Sequence, residues 1–501
     1  MKPLPLSDYI ACFSKQNILI KADLDTCQTP VEFISYDSRN VKPGTLFVCK
    51  GAHFKEEYGQ FALKNGAIAL VTEKSLGDPS KEILVSDIRK AISLIADTFY
   101  GGVQKDIFAI GLTGTKGKST TAQYIRDCLN LYLESQGKKD CAIVSSIDTY
   151  DGVRNFRSHI TTPEPFELFK AVNNAVQSGL SHVIMEVSSQ ALKYGRVAGL
   201  HYKIAAFTNI GVDHISPVEH SSFEDYFASK CKIFDMCDVA VINADSEHFQ
   251  EIFEYAKPRC QVITYGSSGN ATIHCEKVET RRDGTFFQVA GPDFCEEMSI
   301  TMPGIFNVSN ALCAIAVLRQ LQVPVTFIKE GLRHATVDGR MELYSSSNGN
   351  VKVIVDYAHN KLSFDTLYES VRKEYADRKI ITVFGCPGDK AILRRKDMGS
   401  SANANSDYIY VTEDDPGEEG FEKIAKEIEV HIPDCPYEKV QDRGEAIRKA
   451  VTEHGDEKTI VLILGKGQEK TQKRGTGLEA YASNAENAKI ALGLYNKLHK
   501  E

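Results

Sequence analysis

Gly114-Thr115-Lys116-Gly117-Lys118-Ser119-Thr120 is the stretch from which the fold of this chain is read. An apolar run, Ile107-Phe-Ala-Ile-Gly-Leu112, precedes it and reads as a buried strand. A helical pattern from Thr120 to Tyr132 follows. Strand, glycine turn, Lys-Ser and helix is the order in which a backbone wraps a phosphate chain. Glycines let main-chain N–H groups approach phosphate oxygens, and the helix N-terminus adds partial positive charge. Lys118 can reach the β- and γ-phosphates of ATP, and the Ser119 hydroxyl can hold Mg²⁺. The spacing is the short T-G-T-x-G-K-[ST]-T form, because position 112 is Leu where the longer loop has Gly. Gly-Lys-Ser alone is an ordinary surface turn. The strand before it and the helix after it make it a nucleotide site.

At 501 residues the chain is too long for one core, and the size prior gives about three domains. Net charge is −8, which argues against nucleic acid as the main partner. No stretch approaches the roughly 18 to 20 apolar residues of a membrane span. Met1 to Asp8 lack the apolar core of a signal peptide. The 13 cysteines are scattered with no C-x-x-C pair, which suits free thiols in a reducing cytoplasm better than a disulfide framework or a zinc site.

Three blocks are expected: 1–104, 105–338 and 339–501. The first mixes short β-like runs with turns, as in Val31–Tyr36, Gly44–Cys49 and Ala67–Thr72. The second holds the phosphate loop and further strands at His182–Val187 and Ile204–Thr208. In the third, strands at Val351–Asp356, Ile380–Phe384, Tyr408–Thr412 and Thr459–Leu464 alternate with helical patterns such as Phe364–Val371 and Phe421–Ile428. Such alternation indicates a parallel, doubly wound α/β sheet, with ligands beyond the carboxyl ends of the strands. The charge runs Arg394-Arg395-Lys396 and Glu418-Glu419 read as solvated loop.

Taken together and in order, the motifs resemble those of the Mur ligases, the ATP-dependent amide-bond formers of peptidoglycan synthesis. More narrowly they resemble the MurE type, which adds the third residue to UDP-N-acetylmuramoyl-dipeptide. The resemblance covers essentially the whole chain. It implies an N-terminal mixed α/β UDP-binding domain, a central ATPase-like parallel-sheet domain and a C-terminal Rossmann-like domain that binds the amino acid. Asp37-Ser38-Arg39 resembles the UDP-binding signature, which makes Ser38 a contact to the UDP-sugar; taken alone it is a turn joining two strands. Gly114, Thr115, Lys116, Gly117, Lys118, Ser119 and Thr120 match the ATP loop, with Lys116 where Asn is usual. Thr161-Thr162-Pro163-Glu164 matches a substrate loop, though by itself it is a helix N-cap signature. Glu186 ends a strand, where a carboxylate can hold Mg²⁺ opposite Ser119. By analogy Ser188 and Arg196 bind the muramoyl peptide, and Gln190 stands where His is usual.

His214 is a second Mg²⁺ ligand by the same resemblance, and Lys230 falls where the family carries a carbamylated lysine. A carbamate converts an amine into an anionic oxygen ligand, and its formation needs a neutral amine, hence a lowered pKa. Without the resemblance Lys230 reads as a surface lysine. Asn307 and Asn310 match the adenine-side motif, and Arg340 falls at a hinge where the family places a nucleotide contact. Asp356-Tyr357-Ala358-His359 resembles the motif that closes over ATP, which assigns Asp356 and His359 to the nucleotide. Lys390, Asp414, Asp415, Pro416, Gly417, Gly465 and Glu469 fall in segments that meet the amino acid; Gln468 replaces the usual His of the last.

The implied chemistry is phosphorylation of the D-Glu γ-carboxylate by ATP, followed by attack of an amine on the acyl phosphate. Lys118, Glu186, His214 and Lys230 are the expected catalytic set. Ser119, Glu186, His214 and carbamylated Lys230 are the expected metal ligands. Family members that use meso-diaminopimelate carry Asp-Asn-Pro-Arg, whose Arg clamps the distal carboxylate. Here the segment is Asp414-Asp415-Pro416-Gly417 with Glu418-Glu419 after it. The missing fork points to L-lysine. L-ornithine or meso-diaminopimelate are the alternatives, the latter if Lys390, Arg394 or Arg395 supplies a cation. The partners implied are the UDP-muramoyl dipeptide, a diamino acid and ATP, handled by a cytoplasmic monomer without nucleic acid or membrane. A reading from another class is a Mur-like nucleotide-dependent regulatory protein that has lost catalysis.

Overall fold

The structure is a computed structural model that describes residues 3–24, 27–51, 54–157, 160–213, 215–216, 219–267, 269–281, 284–389, 392–455 and 457–499. It separates into two compact units: Met1–His274 with Cys313–Ile328, and Cys275–Leu312 with Lys329–Glu501.

The first unit carries two sheets. The N-terminal one runs in the order Leu19–Ala22, Glu82–Val85, Ala67–Thr72, Thr45–Val48, Phe33–Ser35. Only the Leu19–Ala22 edge is antiparallel to its neighbour. Val71, Ala69 and Leu46 are buried on this sheet against Leu6, Phe13 and Ile92 of the helices Leu6–Lys15 and Ile88–Phe99. Such near-continuous apolar strands are what a covered parallel sheet requires. Asp87 starts the Ile88–Phe99 helix by accepting the Lys90 amide at 2.9 Å.

The central sheet runs in the order Gln261–Gly266, Cys237–Asn243, Tyr202–Phe207, Phe108–Thr113, His182–Glu186, Ala142–Val144, all parallel. Two short antiparallel strands, Asp148–Tyr150 and Asn155–Arg157, extend one side. The strand that delivers the phosphate loop is thus central, one residue later than its apolar run suggests. Gly111 lies within it because a Cβ there would stand 3.0 Å from the Tyr202 ring. Gly117 takes φ +84 immediately before the Lys118–Ser135 helix, a left-handed conformation that favours glycine.

The second unit holds the antiparallel pair Gly284–Gly291 and Phe294–Ile300, and a sheet of order Glu342–Ser345, Val351–Asp356, Thr459–Leu464, Lys379–Phe384, Tyr408–Val411, Tyr437–Lys439. All its neighbours are parallel except the Glu342–Ser345 edge. The expected alternation of strand and helix is realised. The edge strand and a terminal hairpin, Thr471–Arg474 with Gly477–Ala480, are additions that the apolar pattern does not signal, because their side chains are largely exposed. Among the described residues no helix is long and apolar enough to cross a membrane.

Candidate functional site

In the first unit, the residues of interest lie beyond the carboxyl ends of neighbouring strands, where a parallel sheet presents its ligand crevice. Gly114 follows Phe108–Thr113 with φ +143, and a Cβ on it would stand 2.0 Å from Thr208 Oγ1. Only glycine fits there. The loop is pinned from the next strand's end. Asn209 Oδ1 accepts the Lys116 amide at 2.8 Å, and the Asn209 carbonyl accepts the Thr115 amide at 2.9 Å. Thr208 Oγ1 donates to the Lys116 carbonyl at 2.6 Å. Two lysines converge on one carbonyl: Lys118 Nζ lies 2.9 Å and Lys230 Nζ 2.7 Å from the Gly114 oxygen. Ser119 and Thr120 are buried in the first turn of the helix.

Lys230 is not the surface residue its polar neighbours suggest. It is 2% exposed, on the helix Phe223–Cys231, whose buried face also carries Tyr226. The i, i+4 spacing sets Lys230 Nζ over the Tyr226 ring at 4.8 Å, and Tyr226 Oη pairs with Thr115 Oγ1 at 3.0 Å. Burial, then the neighbouring Lys118 and Lys116 charges, hold the Lys230 amine well below the usual lysine range, with Asp213 acting the other way. Lys116, the departure from Asn, places Nζ 3.5 Å from Asp213 Oδ2.

Glu186 is fully buried at the end of its strand. The Ser146 amide and hydroxyl donate to its two oxygens at 3.0 and 2.9 Å. Ser146 also reaches Thr161 Oγ1 at 3.0 Å, and Thr162 Oγ1 donates to the Glu186 carbonyl at 2.9 Å. Ser188 donates its amide to Thr162 Oγ1 at 3.0 Å and caps the Ser189–Lys193 helix through Ala191 N at 3.2 Å. Arg196 binds the Thr162 carbonyl at 3.3 Å and Glu164 at 3.0 Å. Glu164 also pairs with Lys50, whose Nζ lies over the Tyr36 ring at 4.7 Å. Thr161, Thr162, Glu186, Ser188 and Arg196 therefore form one cluster. Lys50 and Ser146 belong with it, and no local motif marks them. Gln190, the second departure, donates to Glu219 at 3.2 Å.

Ser38 stands outside that cluster. It lies in the single turn Ser38–Asn40 between two parallel strands, so the segment does not join an adjacent hairpin. Among the described residues its side chain makes no hydrogen bond, and Arg39 instead forks onto Asp37 at 2.9 and 2.8 Å. His214 and Lys390 lie outside the described residues. Among the described residues no three His, Cys, Asp or Glu side chains gather as a ready-made metal site.

In the second unit, the expected residues again follow strand ends. Asp356 accepts the Ala358 amide at 2.7 Å and the Met341 amide at 2.9 Å, which ties the 356–359 turn to the segment that carries Arg340. Arg340 lies 4.6 Å over the Tyr357 ring, and His359 Nδ1 is 2.7 Å from the Tyr357 carbonyl. Tyr357 Oη donates to Glu469 at 3.0 Å. Asn310 donates to Asn307 at 2.9 Å, and Asn307 to the Pro303 carbonyl at 2.7 Å, so both are helix-start bonds as well as buried amides. Lys466, 1% exposed, joins the amino-acid segments: its Nζ is 2.7 Å from Asp415, 3.0 Å from Glu469 and 3.9 Å from Asp414. Burial opposes its charge, yet these carboxylates outweigh burial and hold the ammonium above its usual range. Burial pushes the Asp414 carboxyl up to about 6, against Arg443 and Lys466. Gly465, at φ +112, leaves no room for a Cβ, which would stand 2.3 Å from Asp414 Oδ2. Gln468 donates to both oxygens of Glu342 at 2.7 and 2.9 Å.

The charge runs are corrected at one residue each: Lys396 and Glu418 are exposed as expected, whereas Arg395 and Glu419 are drawn inward. Arg395 is 1% exposed on the Leu393–Asn405 helix and pairs with Glu419 and Glu427 at 2.5 Å each. It is neither solvated loop nor a free cation for a substrate carboxylate. Glu419 is correspondingly neutralised and adds no net negative charge to a pocket.

These strand-end loops form a glycine-lysine turn of the phosphate-binding type in one unit and an ion-rich cluster on a parallel sheet in the other. The sequence matches the Mur ligase middle domain over residues 112–318 and the Mur ligase, glutamate ligase domain over residues 339–467. It is 36% identical over 486 residues to UDP-N-acetylmuramyl-tripeptide synthetase of Lactobacillus delbrueckii subsp. bulgaricus, covering 92% of this chain and 93% of that protein. It is 37% identical over 465 residues to UDP-N-acetylmuramoyl-L-alanyl-D-glutamate--L-lysine ligase of Enterococcus faecalis, covering 91% of each. A solved UDP-N-acetylmuramoyl-L-alanyl-D-glutamate--2,6-diaminopimelate ligase shares the fold at TM-score 0.68 and 23% identity, covering 99% of this chain and 100% of that one. The chain belongs to the Mur ligase family of ATP-dependent ligases.

Proposed function

We propose that the protein joins L-lysine to the γ-carboxylate of D-Glu in UDP-N-acetylmuramoyl-L-Ala-D-Glu, forming ADP and phosphate. The observation that carries this reading is the Asp414-Asp415-Pro416-Gly417 loop: two half-buried carboxylates followed by Gly where an arginine fork would be needed for a second carboxylate. The name of the Enterococcus relative supports it. The domain limits near 104 and 338, action as a monomer and a cytoplasmic place belong to the same reading.

In this reading the Gly114–Thr120 segment cradles the ATP phosphates with its amides. Lys118 leaves the Gly114 carbonyl to meet the oxygens that gain charge as phosphate moves to the carboxylate. The 161–162 and 188–196 segments, with Arg196, hold the muramoyl peptide, and Ser38 holds its UDP end. Asn307, Asn310, Arg340, Asp356 and His359 serve the nucleotide. Lys390, Asp414, Asp415, Gly417, Gly465 and Glu469 form the amino-acid pocket, where carboxylates receive the cationic side chain. The amine then attacks the acyl phosphate carbonyl and phosphate leaves. Excluding water protects that reactive anhydride.

The residues fit Mg²⁺. Ser119 offers a hydroxyl, Glu186 a buried carboxylate, and Lys230 a buried amine whose neutral form, the one that captures CO₂, is favoured by its surroundings. His214 joins them in the family's pattern. Mg²⁺, when bound, neutralises crowded phosphate oxygens.

The test is an amino-acid panel with UDP-N-acetylmuramoyl-L-Ala-D-Glu, ATP and Mg²⁺, scored for ADP release and product mass. L-Lysine is expected to exceed meso-diaminopimelate in kcat/KM by about 100-fold, since a closed site punishes an unpaired substrate carboxylate. Preference for meso-diaminopimelate would overturn the pocket reading. ADP release without a peptide product would overturn the ligase reading.

A further inference from the structure

Two of the segments assigned above to the amino acid are loops at strand ends: 385–389, after the strand Lys379–Phe384 and leading to Lys390, and 414–419, after the strand Tyr408–Val411. The strands are neighbours, with Ile381 opposite Tyr408. The loops touch with no slack. The Gly388 amide donates to the Asp415 carbonyl at 3.0 Å, and a Cβ on Gly388 would stand 1.8 Å from the Pro416 carbonyl oxygen. The Glu418 amide donates to Asp389 Oδ2 at 3.1 Å.

Behind this contact lies one guanidinium. Arg395 forks onto Glu419, with NH1 2.9 Å from Oε1 and NH2 2.5 Å from Oε2. NH1 also reaches Glu427 of the Phe421–Glu429 helix at 2.5 Å, and NH2 donates to the Pro387 carbonyl at 3.2 Å. Glu419 passes the connection on: its Oε2 accepts the Asp389 amide at 3.1 Å, while Lys423 stands 2.7 Å from Oε1. Arg395 thus grips the first loop directly at Pro387 and indirectly at Asp389, and grips the second loop at Glu419.

A buried Arg–Glu pair is a poor way to gain stability, because desolvation offsets most of the attraction and apolar residues of equal volume do as well. What such a pair supplies is direction. A planar fork fixes angles as well as distance. Lysine in its place keeps the charge but has three donors on one rotating nitrogen, too few for the four bonds that Arg395 makes from two.

We propose that the Arg395–Glu419 ion pair is a positioning clamp that holds loops 385–389 and 414–419 in register, and so governs affinity for the incoming amino acid without touching it. The inference rests on the assignment of these loops to the amino-acid pocket. Because the clamp joins only these loops and the two helices behind them, its loss acts on one substrate of three.

The test uses the full chain and three variants: Arg395→Lys, Glu419→Gln and Glu427→Gln. Glu427 shares the guanidinium but makes no bond to either loop. KM for L-lysine, ATP and the UDP-muramoyl dipeptide is measured with kcat, and thermal melting checks folding. Arg395→Lys and Glu419→Gln are expected to raise KM for lysine about tenfold or more, with the other two KM values within about twofold. Glu427→Gln should lower the melting temperature comparably yet leave KM for lysine within about twofold. The double variant should be little worse than the more damaged single one, because both remove one interaction. If Arg395→Lys fails to fold, Glu419→Gln decides the question. Folded variants with unchanged KM for lysine, or a parallel rise in all three KM values, would overturn the clamp. Asp415→Ala, run alongside, separates the two claims. If it raises KM for lysine while the clamp variants do not, only the clamp fails. If it too leaves KM unchanged, the assignment of the loops falls with it.

Discussion

Replacing Gly417 with Arg restores, on paper, the fork that the meso-diaminopimelate enzymes of the family carry. The structure predicts that the single change first does damage. Gly417 sits at φ +60, and a Cβ on it would stand 2.1 Å from Asp389 Oδ2. The backbone cannot rotate away. Its amide donates to the Lys473 carbonyl at 3.2 Å, and its carbonyl accepts the Gly475 amide at 2.8 Å. A side chain in the left-handed region costs about 1–2 kcal/mol. Swinging the Asp389 carboxylate aside breaks its bond from the Glu418 amide and leaves that donor seeking water, about 1–3 kcal/mol more. The new guanidinium can pair with the displaced carboxylate, but that exposed pair returns at most about 1 kcal/mol. A net loss of about 1–5 kcal/mol is expected, with lower use of lysine. Asp389→Ala in the same chain removes the clash and leaves the backbone term together with the lost acceptor of the Glu418 amide. The double variant should therefore match Gly417→Arg in stability to within about 1 kcal/mol and shift the kcat/KM ratio toward meso-diaminopimelate by about 10- to 100-fold, the worth of one charge-assisted fork. Thermal melting and the ratio of kcat/KM for the two amino acids measure both quantities. A Gly417→Arg chain as stable as the parent, or a parent that already prefers meso-diaminopimelate, would refute the reasoning.

Lys118→Ala should leave the fold intact and lower kcat by at least about 100-fold, the scale for removing one charge-stabilising donor; wild-type phosphate release from a folded variant would remove Lys118 from the chemistry. Isotope-labelled bicarbonate should be captured at Lys230, more as pH rises and the amine neutralises. Lys230→Ala should be nearly inactive and partly restored by acetate, whereas full activity without capture would end the carbamate reading. Asp414, with its carboxyl held up near 6, binds a proton in the folded state that the unfolded chain, with its ordinary value of 3.8, has already released; it therefore costs stability as pH rises from about 4 to 6, and Asp414→Asn should flatten that part of a melting-temperature profile. The same ionisation predicts that KM for lysine falls as pH rises through about 6, and an unchanged profile in Asp414→Asn would exclude Asp414 as the titrating group.

The alternation of apolar runs and amphipathic helices was enough to read the C-terminal sheet, because strand and helix periods are local properties of the chain. The strand, glycine turn and helix around Gly114, Gly117, Lys118 and Ser119 were legible for the same reason, because these residues lie within one turn of backbone. What the sequence hid is whatever depends on a distant partner. Lys230 looks like a solvated lysine until its helix is packed against the phosphate loop and its amine reaches Gly114, 116 residues earlier. Arg395 and Glu419 look like surface, as their neighbours Lys396 and Glu418 are, until the two, 24 residues apart, neutralise one another. Gln468 looks like a lost histidine until it forks onto Glu342, 126 residues before it. A charge or an amide carries no local sign of whether it will be desolvated. That is set by which elements the sheet brings side by side, and the cost of burying such groups unpaired is what makes the tertiary partner decisive.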